Sequence, residues 1–238
     1  MTPVNPDRRR ALVEALLASL LVTGAVTLVS ARMPSSYVAT GVGFVFLAAT
    51  WFLVWRRDDA FVSRCGLAFG GLVLHGSIDA RVVGRSAFRA SAWALAFGIV
   101  TFVPFYFGWR YWWHAHGIFA LTPRLSEIAN EIVGQVVIIA LPEEAFYRGY
   151  LQSRLDDVWH PRFRIAGAHL GPGVVLASVI FALGHVATIH QPARLAVFFP
   201  ALVFGWLRAR TGGVGASIAY HALCNVFSEA LGRGYGMY

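Results

Sequence analysis

A succession of long apolar stretches, separated by short charged ones, constrains this chain more than any other feature of its sequence. The stretches run from Ala11 to Ser30, Val38 to Trp55, Phe88 to Phe107, Glu127 to Leu151, Val174 to Thr188, Leu195 to Leu207 and Val214 to Leu231. A helix needs roughly 20 mostly apolar residues to cross about 30 Å of hydrocarbon. Inside hydrocarbon every backbone N–H and C=O must find a partner within the protein, so each stretch is expected to be helical. The expected fold is therefore all-α, a polytopic membrane helix bundle of about seven transmembrane helices. It would form one integral membrane domain over residues 1–238, with its N-terminal spans in 1–125 and its remaining spans in 126–238.

Composition agrees with this solvent. Of 238 residues 57% are hydrophobic and 13% charged, which a water-soluble domain of this length rarely shows. The first apolar stretch follows Arg8, Arg9 and Arg10 as a signal peptide would, but it is long and no convincing cleavage site follows, so it reads as a first span. Glu14, near its basic end, reads as an interfacial side chain.

The formal net charge of +8 would suit nucleic acid if the chain were soluble. Its basic residues are all Arg, however, and they gather between the apolar stretches: Arg56, Arg57 and Arg64, then Arg154, Arg162 and Arg164, then Arg208 and Arg210. That pattern marks cytoplasmic loops and excludes a nucleic-acid partner in favour of the bilayer. It puts the N-terminus in the cytoplasm, with the opposite loops holding chiefly Arg32, Arg110, Arg124 and Arg194.

Trp51 and Trp55 precede one Arg pair, and an aromatic collar from Trp109 to Trp113 marks the other interface. The mixed segment 58–87 reads as interfacial or cytoplasmic, not as a span. His114 and His116 make half a metal site at most and read as interfacial packing. Cys65 and Cys224 show no metal-ligand spacing. The lack of Lys hints at a GC-rich bacterial genome, so a bacterial inner membrane is the expected location.

Ionisable and amide side chains inside spans are costly, which makes the few present informative. They are Glu143, Glu144 and Arg148 in the fourth stretch, His185 in the fifth, and His221 with Asn225 in the seventh. Residues four apart on a helix lie roughly 40° from each other around the axis, adjacent ones about 100°. Glu144 and Arg148 thus share a face as an expected ion pair, and Glu143 is left to face a cavity and take a proton from water. Pro142 removes a backbone hydrogen bond and would kink the helix there.

His185 lies four residues after Phe181, whose ring would fix the imidazole, and Gly184 allows a close helix approach. His221 and Asn225 share a face and could both donate to one oxygen, as an oxyanion hole requires. Cys224 points about 100° away from Asn225 and reads as a packing residue. Together these groups suffice for water to attack a carbonyl without a Ser or Cys nucleophile.

The motifs Glu143-Glu144-x-x-x-Arg148, Phe181-x-x-x-His185 and His221-x-x-x-Asn225, in this order, resemble the CPBP family of intramembrane proteases. That family includes CAAX prenyl endopeptidases and bacterial relatives linked to bacteriocin processing and immunity. The resemblance covers Leu141 to Val226, places the catalytic core in 126–238, and implies an active site between the fourth, fifth and seventh spans. It implies Glu143 as catalytic base, His185 as its partner in activating water, His221 and Asn225 as oxyanion donors, and Glu144, Arg148 and Phe181 in support.

Members have also been described as metalloproteases, and zinc on Glu143, His185 and His221 is the chemical alternative. The chain lacks His-Glu-x-x-His, and a mechanism with no cofactor is preferred. The resemblance extends to myxosortase-type enzymes, which implies a membrane-anchored protein or peptide as substrate, cut near a C-terminal anchor or sorting signal. Two other functions fit part of the pattern: a non-catalytic immunity or scaffold protein of the same fold, and a proton-coupled transporter or channel, which would be expected to show an internal repeat.

Overall fold

The computed structural model describes residues 6–121 and 125–237. Arg124, one of the arginines assigned above to the loops opposite the N-terminus, lies outside the described residues. Two antiparallel helices open the chain, α1 (Pro6–Arg32) and α2 (Ser35–Thr50), the second prolonged by a wider π-helical turn over Trp51–Trp55. A short helix α3 (Asp59–Arg64) follows, then α4 (Ala80–Trp113).

The site is carried by one nearly continuous rod. It comprises α5 (Leu125–Gly134), a π-helical segment Gln135–Ala140, α6 (Leu141–Glu144), a second π-helical segment Ala145–Leu151, and α7 (Gln152–Val158). Helices α8 (Pro172–Ile189), α9 (Phe198–Thr211) and α10 (Gly215–Gly234) complete the bundle, with a 3-10 turn Pro192–Val197 before α9.

Among the described residues five helices are long and apolar enough to cross a membrane: Asp7–Arg32, Ser35–Trp55, Ala80–Trp113, Pro172–Ile189 and Pro192–Thr211. The other two expected spans fall on the rod and on α10, which hold the buried carboxylates, Arg148 and the seventh-stretch histidine.

Helix α4 begins well before the expected Phe88. Asp79 caps it, its Oδ1 accepting from the backbone N–H of Arg81 at 2.8 Å and of Val82 at 3.4 Å, so residues read as interruptions are the first turns of a helix. The expected loop after Arg154 contains a small hairpin of β1 (Phe163–Ile165) and β2 (Ala168–Leu170), an addition to the all-α bundle. Ala166 and Gly167, with φ of 46° and 82°, form its two-residue turn, and Trp206 Nε1 donates to the Ile165 carbonyl at 2.9 Å to dock it on α9.

The two ends of the bundle differ in charge. At one end Arg154 bridges Glu14 of α1 at 2.5 Å and Asp157 at 2.9 Å, Arg64 meets Asp157 at 2.9 Å, and Arg208 donates to the Arg64 carbonyl at 2.7 Å. Asp156, in α7 beyond the apolar stretch, is half-buried beside this network, and its partial burial pushes its carboxyl up to about 6 against the pull of Arg208. At the other end lie the α1–α2 turn, the end of α8 and the end of α10, where Ala120 N–H donates to the Gly234 carbonyl at 2.9 Å.

Candidate active site

Pro142 shapes the site first. It has no N–H to give the carbonyl of Ile138 one turn earlier, and the chain widens into its π-helical segment just ahead of it. The Ile138 carbonyl lies against Gly43 of α2, where any Cβ would collide with it. Helix α2 therefore seats directly on the freed backbone, and the rod turns Glu143 and Glu144 inward.

Glu144 and Arg148 form the expected ion pair, Nη1 to Oε1 at 3.2 Å, with both side chains wholly out of solvent. Arg148 Nη2 also donates to the Ala201 carbonyl of α9 at 3.0 Å. Its guanidinium lies 4.5 Å from the Phe181 ring centroid and 5.1 Å from that of Phe204, a desolvated cation on two aromatic faces. The same Glu144 oxygen is 3.0 Å from Nδ1 of His221. A carboxylate there accepts a hydrogen bond from Nδ1–H and leaves Nε2 directed elsewhere.

Glu143, 9% exposed, lines a cavity of about 530 Å³ with His185, Tyr147 and Gly184. Among the described residues its Oε2 has no hydrogen-bond partner, and neither has Oε2 of Glu144. His185 Nδ1 lies 3.1 Å from the Phe181 carbonyl, which can only accept, so Nδ1 carries the proton and Nε2 presents its lone pair. The Phe181 ring holds this imidazole at 4.4 Å between centroids and meets His221 edge-on at 6.1 Å, which places it between the two histidines. A Cβ on Gly184 would sit 2.9 Å from the Tyr147 hydroxyl, so the glycine lets α8 approach the rod.

Glu143 and His185 thus share one cavity, and His221 is brought to Glu144. Neither His221 nor Asn225 is among the residues lining that cavity. Asn225 Nδ2 donates to Gln135 Oε1 at 2.9 Å, and Gln135 in turn donates to Glu131 at 2.9 Å. Gln135 was missed in the sequence although the signal was there: an amide amid Val136, Val137, Ile138 and Ile139 is a costly group in a span. Tyr147, inside the Glu-Glu-x-x-x-Arg motif, was passed over as well. Thr23, Gly43 and Phe46 from the first two helices also line the cavity, and being uncharged they gave no signal.

The donor set for zinc does not converge. Among the described residues no three His, Cys, Asp or Glu side chains are grouped to hold a metal ion, and His221 turns Nδ1 to Glu144. Cys224 is half-buried and Cys65 buried, and neither is in a disulfide.

Residues 126–227 match the family described as type II CAAX prenyl endopeptidase Rce1-like. This is the resemblance carried by the three motifs. The matched segment spans the rod from its first turn through α8 and α9 to the middle of α10, and it contains every one of the motif residues. No curated protein and no solved structure matches the chain. The Rce1-like family is a family of proteases, which supports an enzyme, and with the long apolar helices it supports an integral membrane protein.

Proposed function

We propose that this protein is an intramembrane endopeptidase of the glutamate type, with Glu143 as the base that activates water. The observation carrying the reading is the pairing of a buried carboxylate with one unpartnered oxygen and a histidine of fixed tautomer in the same cavity. A water between them can give one hydrogen bond to Glu143 and another to His185 Nε2, which turns its lone pair toward a substrate carbonyl. As the oxygen attacks, its proton passes to Glu143, which returns it to the leaving amine.

By the family resemblance His221 and Asn225 would meet the tetrahedral oxyanion; neither lines the cavity, so the substrate carbonyl has to reach past its wall to them. Asn225 spends one N–H on Gln135 and keeps the second for substrate. His221, with Nδ1 on Glu144, donates from Nε2 only when the ring carries both protons. Glu144 and Arg148 hold this ring and the rod in place. Substrates are membrane-anchored proteins or peptides, and processing of C-terminal anchors or sorting signals in a bacterial inner membrane is the role we assign. The rod and α10 would add two spans to the five apolar helices, with the N-terminus cytoplasmic.

The test is a comparison of membrane-protein C-termini in cells carrying the intact chain or Glu143→Gln at equal abundance. Shortened C-termini that disappear with Glu143→Gln support the reading and identify the substrate. Identical C-termini in both would remove it.

A further inference from the structure

The cavity holding Glu143 is not centred between the two ends of the bundle. His185 lies four residues before the end of α8, about 6 Å of helix, and thirteen after its start, about 20 Å. Its lining follows this bias: Glu143, Tyr147, Gly43 and Phe46 are buried, whereas Ser35, Ala39 and Ile189, at the end with the α1–α2 turn, are exposed. The mouth is therefore at the end away from Arg154, Arg208 and Arg64.

A second depression of about 490 Å³ continues from this mouth between α2 and α5. It shares Ala39, Ile138 and Ile139 with the cavity and is lined beyond them by Ser36, Thr40, Asn130, Glu131 and Gln135. Its walls remain mostly apolar, with Gln135 and Glu131 engaged with Asn225 and Arg233, and the hydroxyls of Ser36 and Thr40 and the amide of Asn130 are set among them. Such groups hydrogen-bond an extended main chain, and a helix has no free main-chain groups to offer them. The Gln135 that holds Asn225 forms part of its wall.

We infer that this trough is the substrate subsite for the stretch of an anchored protein lying just outside the membrane on the arginine-poor face, which the positive-inside pattern makes the non-cytoplasmic one. The inference rests on the protease reading. The substrate is a protein with an apolar anchor, extended and water-exposed on that face, whose scissile bond enters the chamber from the trough.

The experiment uses the full chain in vesicles of known orientation. Ser36→Cys is labelled with a membrane-impermeant maleimide, read against the unsubstituted protein, and two anchored reporters present the same cleavable segment on one face or the other. Labelling of Ser36→Cys from the non-cytoplasmic side, with cleavage of the reporter exposed there, is expected. Thr40→Trp, at a position that lines the trough and not the chamber, should raise KM at least tenfold with kcat within twofold.

Labelling from the cytoplasmic side, cleavage of the other reporter alone, or an unchanged KM in Thr40→Trp would overturn the subsite while proteolysis stands. Absence of cleavage with either reporter would overturn the protease reading and the subsite with it.

Discussion

His221 and Arg148 meet on a single oxygen of Glu144, at 3.0 Å and 3.2 Å, inside a part of the bundle that solvent does not reach. Two adjacent glutamates therefore divide the work. One is locked between a guanidinium and an imidazole, and its neighbour turns to the cavity.

Replacing Glu144 should cost stability in a way that replacing Glu143 does not. Glu144→Leu leaves Arg148 buried without its paired carboxylate, which costs about 3–5 kcal/mol. In detergent its thermal midpoint should fall by many degrees, and the double variant Glu144→Leu with Arg148→Met should recover much of the loss.

Gly43 should tolerate no side chain. A Cβ there meets the Ile138 carbonyl, a backbone atom that cannot swing away, so α2 must lift from the rod. Gly43→Ala is expected to lower stability by about 1–3 kcal/mol, the range for overpacked cores, and to reduce turnover because the cavity lies along the same seam. A thermal melt and an initial rate on the purified protein check both.

Gln135 should act through Asn225. Gln135→Ala frees the Asn225 carboxamide to rotate, so kcat should fall about tenfold, and KM should rise as well because Gln135 also lines the trough. Asn225→Ala should lower kcat further, and Gln135→Ala added to it should do almost nothing more to kcat.

Asp156 gives a pH test with a definite sign. Burial raises its folded-state value to about 6 from the usual 3.8, so the folded protein prefers the neutral acid and the charged form opposes folding above about pH 6. The interval corresponds to at most about 3 kcal/mol. Asp156→Asn should thus be more stable than the unsubstituted protein at pH 8, and its advantage should fade as pH drops through 6 toward 4. Unfolding midpoints of both proteins across that range decide it.

What the sequence disclosed followed helical spacing. The Glu144 and Arg148 pair and the Phe181 and His185 stack are each four residues apart, and four residues is a contact any helix enforces. The contacts of His221 with Glu144 and of Asn225 with Gln135 cross 77 and 90 residues, and no local periodicity encodes them. The start of α4 was hidden because Asp79, Arg81 and Arg85 look like interruptions to hydropathy, while Asp79 is the cap. The hairpin at Ala166 and Gly167 depends on a turn whose left-handed alanine gives no warning.

The central claim is that Glu143, and not its neighbour, activates the attacking water. Its most direct test is the rate at which purified protein in detergent cleaves a C-terminal anchor peptide, measured for the unsubstituted chain and for Glu143→Gln, with thermal midpoints recorded beside it. A rate lower by about 10³-fold, within the 10²–10⁴ range of a lost general base, at an unchanged midpoint is the expected result. Undiminished cleavage by Glu143→Gln would contradict the account.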